Sequence, residues 1–115
     1  MLTTLHSNGG PMTGTPNQIE WANQIKPTVD AEFERVINAF QTLALNQSVT
    51  ASADTLTILT ILREQRSQVL ANPSAGYFIA EWRELSDQVR KGIAKDPRHQ
   101  AIHAKRRKQA ALHAI

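Results

Sequence analysis

The chain has 115 residues, 41% apolar and 20% charged, enough for one domain of ordinary soluble composition and hardly more. It contains no cysteine, which excludes a disulfide-stapled fold, a thiolate metal centre and a cysteine nucleophile. The formal charge is +3, no apolar run could cross a bilayer, and Met1–His6 lacks the basic and apolar regions of a secretion signal, so a cytoplasmic location is expected.

Residues 1–14 hold Asn8-Gly9-Gly10-Pro11 and Gly14 without an apolar period, and are expected to form a flexible leader. Leu2–Leu5 is strand-like but has no evident pairing partner, and the flanks of Asn8-Gly9 are too poor in β-formers for a hairpin. Thr15-Pro16-Asn17-Gln18 is a helix start: a hydroxyl cap, proline in the first turn and glutamine to complete a capping box. Ala22, Ile25, Val29, Phe33, Val36, Phe40 and Leu43 then recur at steps of three and four, one apolar stripe on one helix face. Pro27 falls inside the stripe and removes a backbone bond to Asn23. Because the stripe keeps phase across it, one kinked helix is favoured over two, with a break near Ile25-Lys26 as the alternative.

Asn46–Ser52 reads as a polar connection, with Ser52 capping a second helix from about Ala53 to Ala71. Leu56, Ile58, Leu59, Ile61 and Leu62 give that helix a broad apolar face in its first half. Asn72-Pro73 repeats the cap-plus-proline start, and Phe78, Trp82, Leu85, Val89 and Ile93 form a stripe that predicts a single third helix. Phe78 and Trp82 are expected in the core, while Trp21 and Tyr77 lie off their stripes and are expected to cover gaps between helices. Asp96-Pro97 opens a fourth segment, Arg98–Ile115, with high helix propensity and a thin face of Ala101, Ala104, Ala111 and Ile115. The expected architecture is all-α: a helical core over residues 15–95 of three helices, then a basic C-terminal helix or tail over residues 96–115.

Charge is strongly divided along the chain. Residues 1–87 carry five cations against nine acids, whereas residues 88–115 carry eight cations against Asp96 alone, so the two parts stand at −4 and +7. Arg90, Lys91, Lys95, Arg98, Lys105, Arg106, Arg107 and Lys108 are therefore the candidate nucleic-acid-binding residues, acting on phosphates rather than bases. No helix-turn-helix spacing precedes the basic run, and it holds no aromatic residue for stacking. Leu112 and Ile115 offer too little apolar surface for a membrane-lying helix.

Chemistry of other kinds finds little support. There is no phosphate-cradling glycine loop, no HExxH and no nucleophile elbow, so neither an enzyme nor a cofactor is expected. Asp96, His99 and His103 fall on one side of a helix, but the aspartate is better used as a cap and the surroundings are cationic, so no metal site is assigned.

Two fragments carry a resemblance. Thr15–Ile25, with Gln18-Ile19-Glu20-Trp21-Ala22-Asn23-Gln24-Ile25, resembles the Q-I-x-W-A-x-x-I opening helix of small bacterial and phage-associated helical proteins of uncharacterised role. Ser74-Ala75-Gly76-Tyr77-Phe78-Ile79 resembles a later S-A-x-aromatic-aromatic-I segment of the same proteins. The resemblance implies a small helical protein carried on mobile elements and brings no catalytic residue with it; Pro27 and the basic tail depart from the pattern.

The expected function is a non-enzymatic helical module that binds nucleic acid non-specifically through its basic C-terminal segment. The alternative is a protein–protein accessory or inhibitor module that meets an acidic protein surface, including a homodimer paired across a two-fold axis. The first expectation requires the cationic segment to project from the body and remain free.

Overall fold

The computed structural model describes residues 11–113, and within them the protein is all-helical. Five helices follow in order: α1 Pro16–Leu45, α2 Val49–Leu70, α3 Ala75–Glu81, α4 Leu85–Ala94 and α5 Pro97–His113. The molecule is elongated, 62 × 24 × 18 Å, because α1 alone accounts for about 45 Å at 1.5 Å per residue. The expectations for Leu2–Leu5, Asn8-Gly9 and Ile115 fall outside the described residues.

α1 begins with the capping box its sequence prescribes. The Gln18 amide donates to Thr15 Oγ1 at 3.2 Å and the Thr15 amide to Gln18 Oε1 at 2.9 Å. The helix runs uninterrupted through Pro27, consistent with Asn23 and Pro27 both being exposed, so that the carbonyl deprived of its partner can face water. Ala22, Val29, Phe33 and Ile37 are its buried residues.

α2 starts a turn earlier than its apolar face predicts. Ser48, not Ser52, is the cap, accepting from the Ala51 amide at 3.3 Å. The first turn, Val49–Ser52, buries no side chain, which is why the apolar pattern missed it. Thr55 is the buried polar residue of the core; its hydroxyl lies 2.6 Å from Gln47 Oε1 and 3.1 Å from the Ala51 carbonyl. Ile58, Leu59 and Leu62 close against Val29, Phe33 and Ile37 of α1. Arg66 ties the two helices further, 2.6 Å from Asp30 and 3.5 Å from Glu34.

The single third helix expected from the stripe is two helices. α3 ends at Trp82, whose backbone leaves the helical region (φ −107°, ψ 42°), and α4 restarts after Glu84 without a side-chain cap. The stripe survives the break: Phe78, Trp82, Val89 and Ile93 are all buried and Leu85 packs at the core's edge. A turn of three residues happened to preserve the phase, and an uncapped start leaves no signal in the sequence. Trp82 packs on Phe33, with ring centroids 5.7 Å apart. Its buried Nε1 has no hydrogen-bond partner among the described residues. The cap of α3 also lies later than expected, at Ser74, whose hydroxyl accepts from the Tyr77 amide at 3.2 Å.

Pro73 is instead held by the segment before α1. Residues 11–14, expected within a flexible leader, are docked: the Thr13 amide donates to the Pro73 carbonyl at 2.7 Å and the Ala75 amide to the Thr13 carbonyl at 3.0 Å. Met12 packs against the core beside them. Gly14 makes the turn into α1 at φ +140°, where a Cβ would also approach Ala75 Cβ to 3.1 Å.

Trp21, expected to cover a gap, is 56% exposed. Tyr77 is half-buried and meets Phe78 edge-on at 5.1 Å. α5 also departs from expectation. Its anchor is Ile102, 8% exposed, while Ala101, Ala104 and Ala111 of the assigned face all look outward. An isoleucine removes far more apolar surface from water than any one of those alanines, and Ile102 is the residue on which α5 docks.

Candidate nucleic-acid interface

α4, its C-cap Lys95 and α5 carry all eight cations singled out in the sequence. Asp96 connects them and acts as the cap of α5, with its carboxylate accepting from the Arg98 amide at 2.8 Å. From there α5 runs back along α2 in the opposite direction, since Arg98 meets Glu64 while Lys105 meets Asp54.

The expectation that the cationic segment stands clear of the body is corrected at three positions. Arg98 is bonded to Glu64 at 2.7 Å and to Asp96 at 2.8 Å. Lys105 lies 2.9 Å and Arg106 3.8 Å from Asp54. Apart from Asp96, the acids that hold them are on α2, 34 and 51 positions away in sequence for Glu64–Arg98 and Asp54–Lys105, and only the tertiary packing of α5 on α2 brings them within reach. Arg90 pairs with Asp87 one turn earlier on α4. Lys91, Lys95, Arg107 and Lys108 are exposed and form no ion pair among the described residues.

These contacts mark the titration of the acids. The Arg98 guanidinium, by hydrogen bonding, holds the Asp96 carboxyl down at about 2 and lowers that of Glu64 as well. The same two bonds push Arg98 further above its already high value. On α1, Glu32 is held low by its hydrogen bond to Arg35.

Beyond Ile102 the helix changes character. Residues 103–113 are exposed on every side. This half of α5 is a helical arm, fastened at its root by one apolar side chain and along its flank by ion pairs. The arm's outer surface presents Arg107 and Lys108, with Lys91 and Lys95 on the adjoining end of α4.

On the other flank of α5, the His99 and His103 rings stack with centroids 6.3 Å apart. Asp96 is turned to Arg98 instead, and among the described residues no three histidines or carboxylates gather as a metal-holding group. A groove opens between this flank and α1. It holds about 280 Å³ and is lined by α1, α4, Ile58 of α2 and His99; a second pocket of about 330 Å³ lies along Ala94, His99, Gln100, His103 and Arg107, with no residue of α1 or α2.

The groove was not legible in the sequence, where Val36 and Phe40 belong to the stripe that predicts the core. Asp54 and Glu64 were equally silent, because acids on an exposed helix face declare no partner. No helix is long and apolar enough to cross a membrane among the described residues. Comparison with protein-family models, curated proteins and solved structures finds no match to this chain.

Proposed function

We propose that this chain is a non-enzymatic helical module that binds the phosphate backbone of nucleic acid without reading its sequence. The observation that carries the reading is the arm itself: a helix exposed all round over residues 103–113, bearing Lys105–Lys108. Lys91, Lys95, Arg107 and Lys108 have no acidic partner among the described residues and supply the contacts. Arg90, Arg98, Lys105 and Arg106 are held by carboxylates that phosphates would have to displace. Lysine and arginine on a mobile or exposed helix gain affinity by releasing the counterions condensed on the polyanion, which makes binding steeply dependent on salt.

The test is fluorescence anisotropy of short labelled duplex and single-stranded DNA and RNA across a salt series. With each of the four unpaired cations neutralising one phosphate, the log–log salt slope on duplex DNA is expected to be about −3 to −4. The double variant Arg107→Ala, Lys108→Ala should bind roughly tenfold more weakly at low salt, with similar losses on unrelated sequences. No binding at low salt, or affinity indifferent to salt, would remove the proposal.

A second reading, a protein-interaction module, has its own support in the groove where Val36 and Phe40 of α1 are only half-buried beside α4.

A further inference from the structure

The two sides of α5 meet different surroundings. Arg98, Ile102, Lys105 and Arg106 share the side turned toward α2, where Ile102 is buried and the three cations meet Glu64 and Asp54. Nothing covers the opposite side, since residues 103–113 are all exposed. Its cations, Arg107 and Lys108, form no ion pair among the described residues. They do not point the same way. At 3.6 residues per turn they stand about 100° apart, each about 50° from a line through Ala104 and Ala111 along the outermost edge of the helix. Gln100, next on that line, is drawn back, its Nε2 donating to the Ala94 carbonyl at 3.2 Å.

The arm therefore carries one unpaired cation on each shoulder, with only methyl groups between them. A polyanion that satisfies both shoulders must present phosphates on two sides of a helix at once, which a groove does and an isolated strand does not. The major groove of B-form DNA is about 12 Å wide, and a helix with its side chains is about 10–12 Å across. The minor groove, about 6 Å wide, is too narrow, and the deep, narrow major groove of A-form RNA excludes side chains. Single strands are gripped by stacking on aromatic rings, and residues 103–113 hold no Phe, Tyr or Trp. On the premise that the chain binds nucleic-acid phosphates as proposed, we infer that α5 lies in the major groove of duplex DNA, with α2 behind it and Arg107 and Lys108 on the phosphates of opposite strands. Methyl groups face the base edges there, so the groove is entered without being read.

Binding of the full chain is measured by anisotropy at low salt against four labelled probes of one sequence. They are duplex DNA, duplex RNA, single-stranded DNA, and duplex DNA in which every cytosine is glucosylated 5-hydroxymethylcytosine. The sugars of the last fill the major groove and leave the phosphates and the minor groove as they were. Plain duplex DNA should bind at least about tenfold tighter than the glucosylated or the RNA duplex, the loss expected when only one strand's phosphates stay in reach. Arg107→Ala and Lys108→Ala should each make the log–log salt slope on duplex DNA shallower by about 0.9. The double variant Ala104→Leu, Ala111→Leu adds bulk on the outer line at exposed positions and keeps helix propensity high. It should weaken duplex DNA binding by about fivefold or more, while the circular dichroism spectrum and the single-strand affinity stay those of the parent.

Equal affinity for the DNA and RNA duplexes, a glucosylated duplex bound as tightly as the plain one, or a leucine pair without effect would overturn the inference and leave phosphate binding intact. Tightest binding to the single strand would do the same. No binding to any of the four probes at low salt would instead remove phosphate binding itself, and the groove with it.

Discussion

α2 and α5 are neighbouring helices, yet they are held by different forces. α2 buries Thr55, Ile58, Leu59, Ile61 and Leu62, so its position is set by apolar area that water cannot compete for. α5 buries Ile102 alone and otherwise meets α2 through Arg98–Glu64, Lys105–Asp54 and the longer Arg106–Asp54 contact. Exposed ion pairs of this kind contribute little each and fade with salt. The difference teaches that the basic arm is held to the acidic body mainly by charge. Under the proposed function, the carboxylates of α2 occupy the places that phosphates would take.

The comparison can be broken hardest from the α1–α2 side. Phe33→Ala removes a ring that is 1% exposed against Trp82, and should destabilise the whole molecule by about 3–5 kcal/mol in urea unfolding. A loss below about 1 kcal/mol would mean that this junction is not the core. Ile102→Ala should have a smaller effect, about 2 kcal/mol, the low end for such truncations because few neighbours surround the site. Its signature is regional. Hydrogen exchange should accelerate across Pro97–His113 while α1 and α2 keep their protection. Acceleration spread evenly over all five helices would show that the arm is no separate unit.

A pH titration sharpens the electrostatic half of the comparison. Asp96 and Glu64 have ordinary values of 3.8 and 4.5, and both are held lower in the folded chain, Asp96 to about 2. Groups depressed on folding stabilise above their ordinary values and lose that contribution as pH falls through the folded ones. The Arg98–Glu64 contact should therefore persist to about pH 4.5 and loosen below it, while the Asp96 cap of α5 gives way only toward pH 2, visible as movement of the Arg98 amide resonance. Loosening centred well above pH 4.5 would assign the contact to other groups. The smallest expected effect is Arg66→Lys. It keeps the charge facing Asp30 and Glu34 but loses the guanidinium fork, at a cost of about 1 kcal/mol or less in unfolding free energy.

What could be read from the sequence follows the range of the interactions that decide it. The start of α1 was legible because Thr15, Pro16 and Gln18 settle it among themselves, and the stripe from Ala22 to Leu43 announced a long helix. The break at Trp82 was not, since its turn preserved the stripe and Glu84 supplies no cap. The docking of Thr13 on Pro73 joins residues 60 positions apart, and nothing local foretells it. The same holds for the candidate site. The basic residues were evident as a block, but their division into engaged and unengaged groups depends on Asp54 and Glu64, which reach them only after Ile102 has chosen which side of α5 faces α2.

The competition between carboxylates and phosphates is tested most directly by the double variant Asp54→Asn, Glu64→Gln, which keeps the size of both side chains and removes their charge. Duplex DNA binding is measured against salt for parent and variant. Release of Lys105 and Arg106, with Arg98 left to Asp96 alone, should tighten binding at low salt and steepen the log–log slope by up to about 0.9 for each added phosphate contact. An unchanged slope and affinity, or weaker binding by the variant, would contradict the account.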